Sequence, residues 1–530
     1  MRLPIALLVL SAAAIAAVWA WLGAPVAMPE TPLVPGQKLY CVSYAPFRGA
    51  QTPLDLSTRI SAQQIEEDLT QLARISGCVR TYSVDYGLDQ IPAIAGRLGL
   101  KVIQGLWLSS LPERNRFQID TAISLVNRFP DVIQAIVVGN EVLLRGEMTA
   151  TDLGNTIRAV KARVKVPVTY ADVWEFWLRN RDLASAVDFI TIHILPYWED
   201  FPISAKYAAA HVASIRGQVV QAFAGREIVI GEVGWPSAGR MREGALPSRS
   251  NQARVIQDIL GLAAREKFRV NVIEAFDQPW KRALEGTVGG HWGLLDGNSR
   301  AQKFEWGAAV SDHPFWKLQA GGGVVLAILV FAAAFVSRRG EVSAPIWIAV
   351  ALNATAGGIL IGWTIANVPL ESLGPGGWLR SLGYVAVALA VPVATSAAMT
   401  RGITAPLFSR VIGPTSDRIA ERLPLALGIL LMATLLLAMQ AALALVFDPR
   451  YRDFPFAPLT AAALPFLLHG LITKPAGGRG AAELAGGMLL ALSVPYIALN
   501  ENFANWQSLW LCAALAALAF TLVRARGARN

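Results

Sequence analysis

Two glutamates at the ends of short apolar runs carry the chemistry open to this chain. Glu141 closes Val137-Val138-Gly139-Asn140-Glu141, and Glu232 lies in Ile230-Gly231-Glu232-Val233-Gly234-Trp235-Pro236-Ser237. Each run is β-branched and apolar enough to be a strand buried on both faces. Carboxylates at the C-terminal tips of two parallel barrel strands face a single cleft. Such a pair does the work of a retaining glycosidase: one attacks, the other gives and takes a proton, at a separation of about 5–5.5 Å. A lone strand-tip glutamate is as readily a structural ion-pair partner. Two on one rim shift the balance, and Asn140 shifts it further, because its amide can bond a sugar 2-hydroxyl as oxocarbenium character develops.

The elements that must position these residues recur along the first 315 residues. Strand-like runs fall at 39–45, 78–82, 101–108, 132–138, 166–170, 189–194, 227–231 and 270–276. Segments of helical period separate them. Ser61-Ala62-Gln63-Gln64 has the form of a capping box, and Ile65, Leu69, Leu72 and Ile75 then mark one apolar face. Residues 155–164, 204–220 and 251–265 behave alike. Eight strand–helix alternations predict an α/β fold, a (β/α)8 barrel, with Glu141 closing strand four and Glu232 strand seven. An open doubly wound sheet is the alternative, but no Gly-rich phosphate loop follows the first strand. The five histidines include no metal-binding helix spacing, and there is no serine nucleophile elbow, so neither metal nor cofactor is implied.

The rest of the chain is a different material. Hydrophobic residues make up 54% of the sequence and charged ones 16%, and the apolar excess lies beyond Leu318. Apolar windows near 317–336, 345–367, 379–399, 423–446, 456–473, 483–499 and 505–523 have membrane-spanning length. Residues 1–23 are a further span or a signal peptide, since Ala24-Pro25-Val26-Ala27 resembles a cleavage site. The resulting division is an N-terminal anchor (1–23), a linker (24–37), a catalytic domain (38–315) and a membrane domain of about seven helices (316–530). Arg338, Arg339, Arg401, Arg410, Arg418, Arg422, Lys474, Arg479, Arg524, Arg526 and Arg529 fall on the side shared with Arg2, against Arg380, Arg450 and Arg452 on the other. The positive-inside rule then puts residues 24–315 outside the cytoplasm, which in a Gram-negative bacterium is the periplasm. Because these arginines mark topology, the net charge of +9 does not signal nucleic acid. His469 and Glu483 sit near cytoplasmic span ends, where snorkelling accounts for them, and no span carries a central acid that would suggest a proton-coupled transporter. Three cysteines exclude a disulfide scaffold and a cysteine zinc site. Cys512 reads as span packing, and Cys41 and Cys78 begin consecutive strands, where parallel neighbours rarely align for a bridge.

Both glutamate segments closely resemble the two signatures of glycoside hydrolase family 17, retaining β-1,3-glucan-active enzymes on (β/α)8 barrels. Further matches follow in order: Tyr44, Val79-Arg80-Thr81-Tyr82, Phe276-Asp277-Gln278-Pro279-Trp280-Lys281 and His291-Trp292-Gly293-Leu294-Leu295-Asp296. The resemblance covers about residues 38–312. It implies Glu232 as nucleophile and Glu141 as general acid/base. Tyr44, Arg80, Tyr82, Asn140, His193, Tyr197, Trp198, Trp235, Asp277, Trp280 and Lys281 are the substrate-binding candidates. His193 stands where plant members commonly have Asn, and reads equally as a core residue. Trp107, Trp174, Trp177, Trp198, Trp235, Trp280 and Trp292 all fall near strand C-termini, as sugar platforms or as core. The two-part layout resembles bacterial inner-membrane proteins of periplasmic β-(1,3;1,6)-glucan synthesis, in which such a domain remodels chains from a separate processive synthase. Glucanosyl transfer, endo-hydrolysis and a non-catalytic glucan-binding scaffold are the three functions this leaves.

Overall fold

The computed structural model describes residues 2–34, 36–413, 419, 421–473, 478 and 480–525. Of the charges read as topology determinants, Arg418, Lys474, Arg479, Arg526 and Arg529 lie outside the described residues. Two compact units emerge: Val26–Ala238 with Gly244–Val310, and Met1–Pro25 with Gly239–Glu243 and Ser311–Asn530.

The first unit is a closed barrel of eight parallel strands in sequence order. They are β1 (Cys41–Ser43), β2 (Cys78–Arg80), β3 (Lys101–Leu106), β4 (Ile133–Asn140), β5 (Val168–Val173), β6 (Ile190–His193), β7 (Ile228–Val233) and β8 (Val270–Val272). β8 pairs back onto β1, so the open-sheet alternative is excluded. Alternation sorts the side chains: Val42, Val79, Val102, Ile136 and Ile230 join the core beneath the helices, while Ile103, Ala135, Val137, Ala171 and Val229 form a separate inner cluster. Helix 62–75 buries Ile65, Leu69 and Leu72, and Ser61 caps it by accepting the Gln64 N–H at 3.1 Å. Only half the capping box forms, because the Gln64 side chain reaches instead to the Pro46 carbonyl and Gln51.

Cys41 and Cys78 are bridged, contrary to the low expectation for parallel neighbours. The reason is register: Val42 pairs with Val79, which sets the two cysteines opposite each other with Cα atoms 4.3 Å apart. Both belong to the inner cluster of the barrel.

The second unit is helical. Among the described residues, seven helices are long and apolar enough to cross a membrane: Arg2–Leu22, Trp316–Ser337, Ala344–Glu371, Gly374–Arg401, Arg422–Phe447, Ala481–Asn500 and Trp506–Arg524. Phe456–Ile472 is apolar but only 17 residues long, about 26 Å of helix. Small residues let the helices approach. A Cβ on Gly323 would lie 2.1 Å from the Gly358 carbonyl oxygen. His469 and Glu483 do not snorkel. Both are buried and bonded to backbone, His469 Nε2 to the Ile403 carbonyl at 2.8 Å and Glu483 to the Phe408 N–H at 2.5 Å.

Candidate active site

Strict alternation along β7 would aim Glu232 the same way as Ile230, out of the barrel. It does not, because the register slips: Ile192 pairs with Ile230, but His193 pairs with Glu232, leaving Gly231 as an extra residue. A side chain at that bulge has no room. A Cβ on Gly231 would sit 2.3 Å from Thr191 Cγ2 and 3.2 Å from His193 Cδ2. β4 carries the matching device, a slip between Val137 and Asn140 with Gly139 at φ +90°. Glu141 follows at φ +52°, a left-handed conformation costly for a residue with a side chain and held here by its N–H bond to the Ala171 carbonyl. A glycine-based bulge thus precedes each glutamate and re-aims it.

The two carboxyl groups meet around a buried cluster. Glu232 is 5% exposed, and its Oε1 accepts from Arg80 at 2.5 Å and from the Tyr82 hydroxyl at 2.8 Å. The other arm of the Arg80 guanidinium donates to Asn140 Oδ1, so one buried arginine ties the nucleophile candidate to the residue preceding Glu141. Glu141 is half-buried and bonded through Oε1 to His193 Nδ1 at 2.8 Å. One oxygen of Glu141, one ring nitrogen of His193 and one oxygen of Glu232 all lie within 4.8 Å of one another. The imidazole presents a different nitrogen to each carboxylate, an arrangement suited to protons rather than to a single metal centre.

Electrostatics fixes the charge of Glu232. Burial opposes charge on Glu232, but His193, Arg80, the Tyr82 hydrogen bond and Lys281 outweigh it and hold the carboxyl below the usual carboxylate range. Glu232 is therefore ionised at neutral pH. Glu141 lacks the arginine and tyrosine donors of its partner. The two glutamates thus sit in different surroundings, one under an arginine and a tyrosine, the other bonded to a histidine.

The other expected residues divide. Arg80, Tyr82, Asn140, His193 and Lys281 gather at the carboxyl pair. Lys281 reaches it indirectly, donating to Glu274 at 2.9 Å. Tyr44, Asp277, Tyr197 and Trp235 have their described contacts with other residues. The Tyr44 ring packs on Phe276 and its hydroxyl donates to Asp68 at 3.1 Å. Asp277 is buried beneath Lys303, at 2.6 Å, and the Gly293 N–H. Tyr197 and Trp235 are fully buried and pack edge to face. Of the seven tryptophans, Trp177, Trp235 and Trp292 are core, while Trp107, Trp174, Trp198 and Trp280 remain partly exposed.

Sequence reasoning passed over Glu274, Glu285 and Asp172. Burial pushes the Glu274 carboxyl up to about 7 against the pull of Lys281, and Asp172 up to about 6 against its bond from Tyr170. Glu274 follows β8, inside a run read only as a strand. Its signal was the acid itself, an unusual residue in a buried β-branched segment.

Residues 41–293 match the BtgE/BtgC glycoside hydrolase domain. A glucan 1,3-beta-glucosidase of Candida albicans is 28% identical over 257 residues, 43% of this chain and 82% of that protein. A probable family 17 glucosidase of Saccharomyces cerevisiae is 26% identical over 262 residues, 48% of this chain and 64% of the other. Among solved structures, the glycoside hydrolase family 17 beta-1,3-glucanosyltransferase of Rhizomucor miehei superposes with a TM-score of 0.45 at 25% identity, covering 51% of this chain and 96% of that one. Residues 41–293 thus carry a match to the BtgE/BtgC glycoside hydrolase domain and resemble family 17 enzymes, which supports a glycosidase or transglycosylase.

Proposed function

We propose that the protein is a membrane-embedded, retaining β-1,3-glucan glucanosyltransferase. Glu232 attacks the anomeric carbon while Glu141 protonates the departing oxygen. Glu141 then takes the proton of an incoming sugar hydroxyl, which displaces Glu232. The observation that carries this reading is the pair itself. An oxygen of Glu232 lies within 4.8 Å of one of Glu141, a closeness that fits the retaining spacing of about 5–5.5 Å better than the wider inverting one. The β-1,3-glucan substrate comes from the relatives named above, which include glucosidases as well as a transferase. An intact pair argues against a scaffold role.

The loop charges support a bacterial inner-membrane protein with its barrel in the periplasm, where a separate glucan synthase would supply the chains to be remodelled. Transfer requires that a sugar compete with water for the glycosyl-enzyme. Trp198 and Trp280, half-buried at the rim, are the residues assigned to hold the acceptor ring. A stacking contact adds about 0.5–1.5 kcal/mol beyond area burial, and about 1.36 kcal/mol is tenfold in rate, so one or two set the partition. Full-length protein in detergent, incubated with β-1,3-oligosaccharides, should yield longer products by mass spectrometry. Trp198→Ala and Trp280→Ala should raise the hydrolysis-to-transfer ratio more than they lower total donor cleavage. Shorter products alone, even at high acceptor concentration, would replace this reading with an endo-hydrolase.

A further inference from the structure

His193 ends β6 and is fully buried between the two carboxyl groups, with Nδ1 2.8 Å from Glu141 and Nε2 3.7 Å from Glu232. Nε2 has no hydrogen-bond partner among the described residues. The bulge at Gly231 keeps this space open, since a Cβ there would sit 3.3 Å from Nε2. The ring position is therefore built into the same irregularity that aims the nucleophile.

Geometry constrains the protons. A lone pair on Nε2 aimed at the Glu232 carboxylate would be repelled, whereas an N–H is attracted. With Nε2 protonated, Nδ1 has two options. Either it accepts the proton of a neutral Glu141, or as imidazolium it donates to an ionised Glu141. Both states hold the same number of protons, differing only in which side of one hydrogen bond the proton occupies.

We propose that His193 is a positioning residue that holds the catalytic proton jointly with Glu141. The inference rests on the assignment of Glu141 as acid/base and Glu232 as nucleophile. In the first step the C1–O bond of the donor breaks, its electron pair goes to the leaving oxygen, and that oxygen takes the shared proton as Glu232 bonds C1. The Glu141 carboxylate is left facing the Nδ1 lone pair, an uncomfortable state that strengthens it as a base. In the second step it removes the acceptor hydroxyl proton, restoring the Nδ1···Oε1 bond, while the acceptor oxygen bonds C1 and the C1–Glu232 bond breaks.

Other charges surround the ring and its partners. Asp172 faces it from β5, Glu232 from β7 and Glu141 from the end of β4. Arg80 and Tyr82 act on Glu232 from β2, and Lys281, Glu274 and Glu285 from beyond β8. Arg145 and Tyr170 lie near Glu141. The His193 ring itself bonds the Glu141 carboxylate directly.

The test compares full-length wild type with His193→Asn and His193→Gln. A proton held by two groups leaves at higher pH than one held by a carboxyl alone. The alkaline limb of kcat/KM for β-1,3-oligosaccharides should therefore fall by at least about one pH unit in both variants, a tenfold loss on that limb. A dinitrophenyl donor needs little acid assistance, so the variants should lose at least about tenfold more activity on the oligosaccharide than on it. An unmoved limb with equal loss on both donors would mean a packing role and overturn the proposal. Should neither variant fold, the five histidines of the wild type allow ¹⁵N-histidine titration instead. The His193 midpoint should shift in Glu141→Gln, and an unmoved midpoint overturns the proposal. If wild type itself neither cleaves nor transfers β-1,3-glucan, the assignment of the pair fails rather than the role of His193.

Discussion

Glu232→Gln should lower turnover of β-1,3-glucan by at least about 10⁴-fold with the barrel still folded, the scale on which single nucleophile replacements act. Glutamine keeps the shape of the side chain, and its carbonyl oxygen can still accept from Arg80 and Tyr82, which now meet at Glu232 Oε1. What it lacks is the charge proposed to attack C1. A smaller replacement, Glu232→Gly, opens room for azide on the face the carboxylate occupied. Azide should then restore part of the donor cleavage and give a glycosyl azide of inverted configuration. The comparison is read from initial rates and from the anomeric proton coupling of the azide product. Activity within about tenfold of wild type in Glu232→Gln would remove Glu232 from the nucleophile's role.

Arg80→Ala should cost about 10²–10³-fold in kcat, as loss of one preorganised donor does elsewhere. It should also destabilise the fold, since breaking a buried pair leaves an uncompensated charge at about 3–5 kcal/mol. Arg80 is 2% exposed and its fork spans Glu232 and Asn140. Arg80→Lys keeps the charge without that fork, so it should recover stability better than rate. The pH dependence has a definite sign. Glu232 is held below its ordinary range, so the stability from this pair is present above the unfolded glutamate pKa and lost as pH falls through the folded value. Denaturation of wild type and Arg80→Ala should therefore differ most near neutrality and converge in acid, and the acid limb of activity should rise in the variant. A variant with wild-type kcat and an unchanged acid limb would show that the arginine is only scaffolding.

Much of this was legible in the sequence, for identifiable reasons. Parallel barrel strands buried on both faces leave β-branched runs, so strand order and the positions of Glu141 and Glu232 at strand ends could be read directly. The bulges could not. Gly139 and Gly231 look like ordinary strand glycines, and only their pairings with β5 and β6 show that each inserts an extra residue. The place of His193 follows from the second bulge, so a sequence reading leaves it between core and cleft. Tyr44 and Asp277 sit in matching motifs but are drawn away by Asp68 and Lys303, partners distant in sequence. The Cys41–Cys78 bridge depends on a register that no composition encodes.

Covalent capture is the most direct test of Glu232 as a retaining nucleophile. Full-length protein is incubated with 2-deoxy-2-fluoro-β-laminaribiosyl fluoride, a donor that forms the glycosyl-enzyme faster than it is resolved, and the digest is sequenced by mass spectrometry. The sugar should be found on the peptide containing Glu232, with β-configured product formed first from unmodified glucan. Cleavage of β-1,3-glucan without any adduct on Glu232, or with α-configured first product, would contradict it.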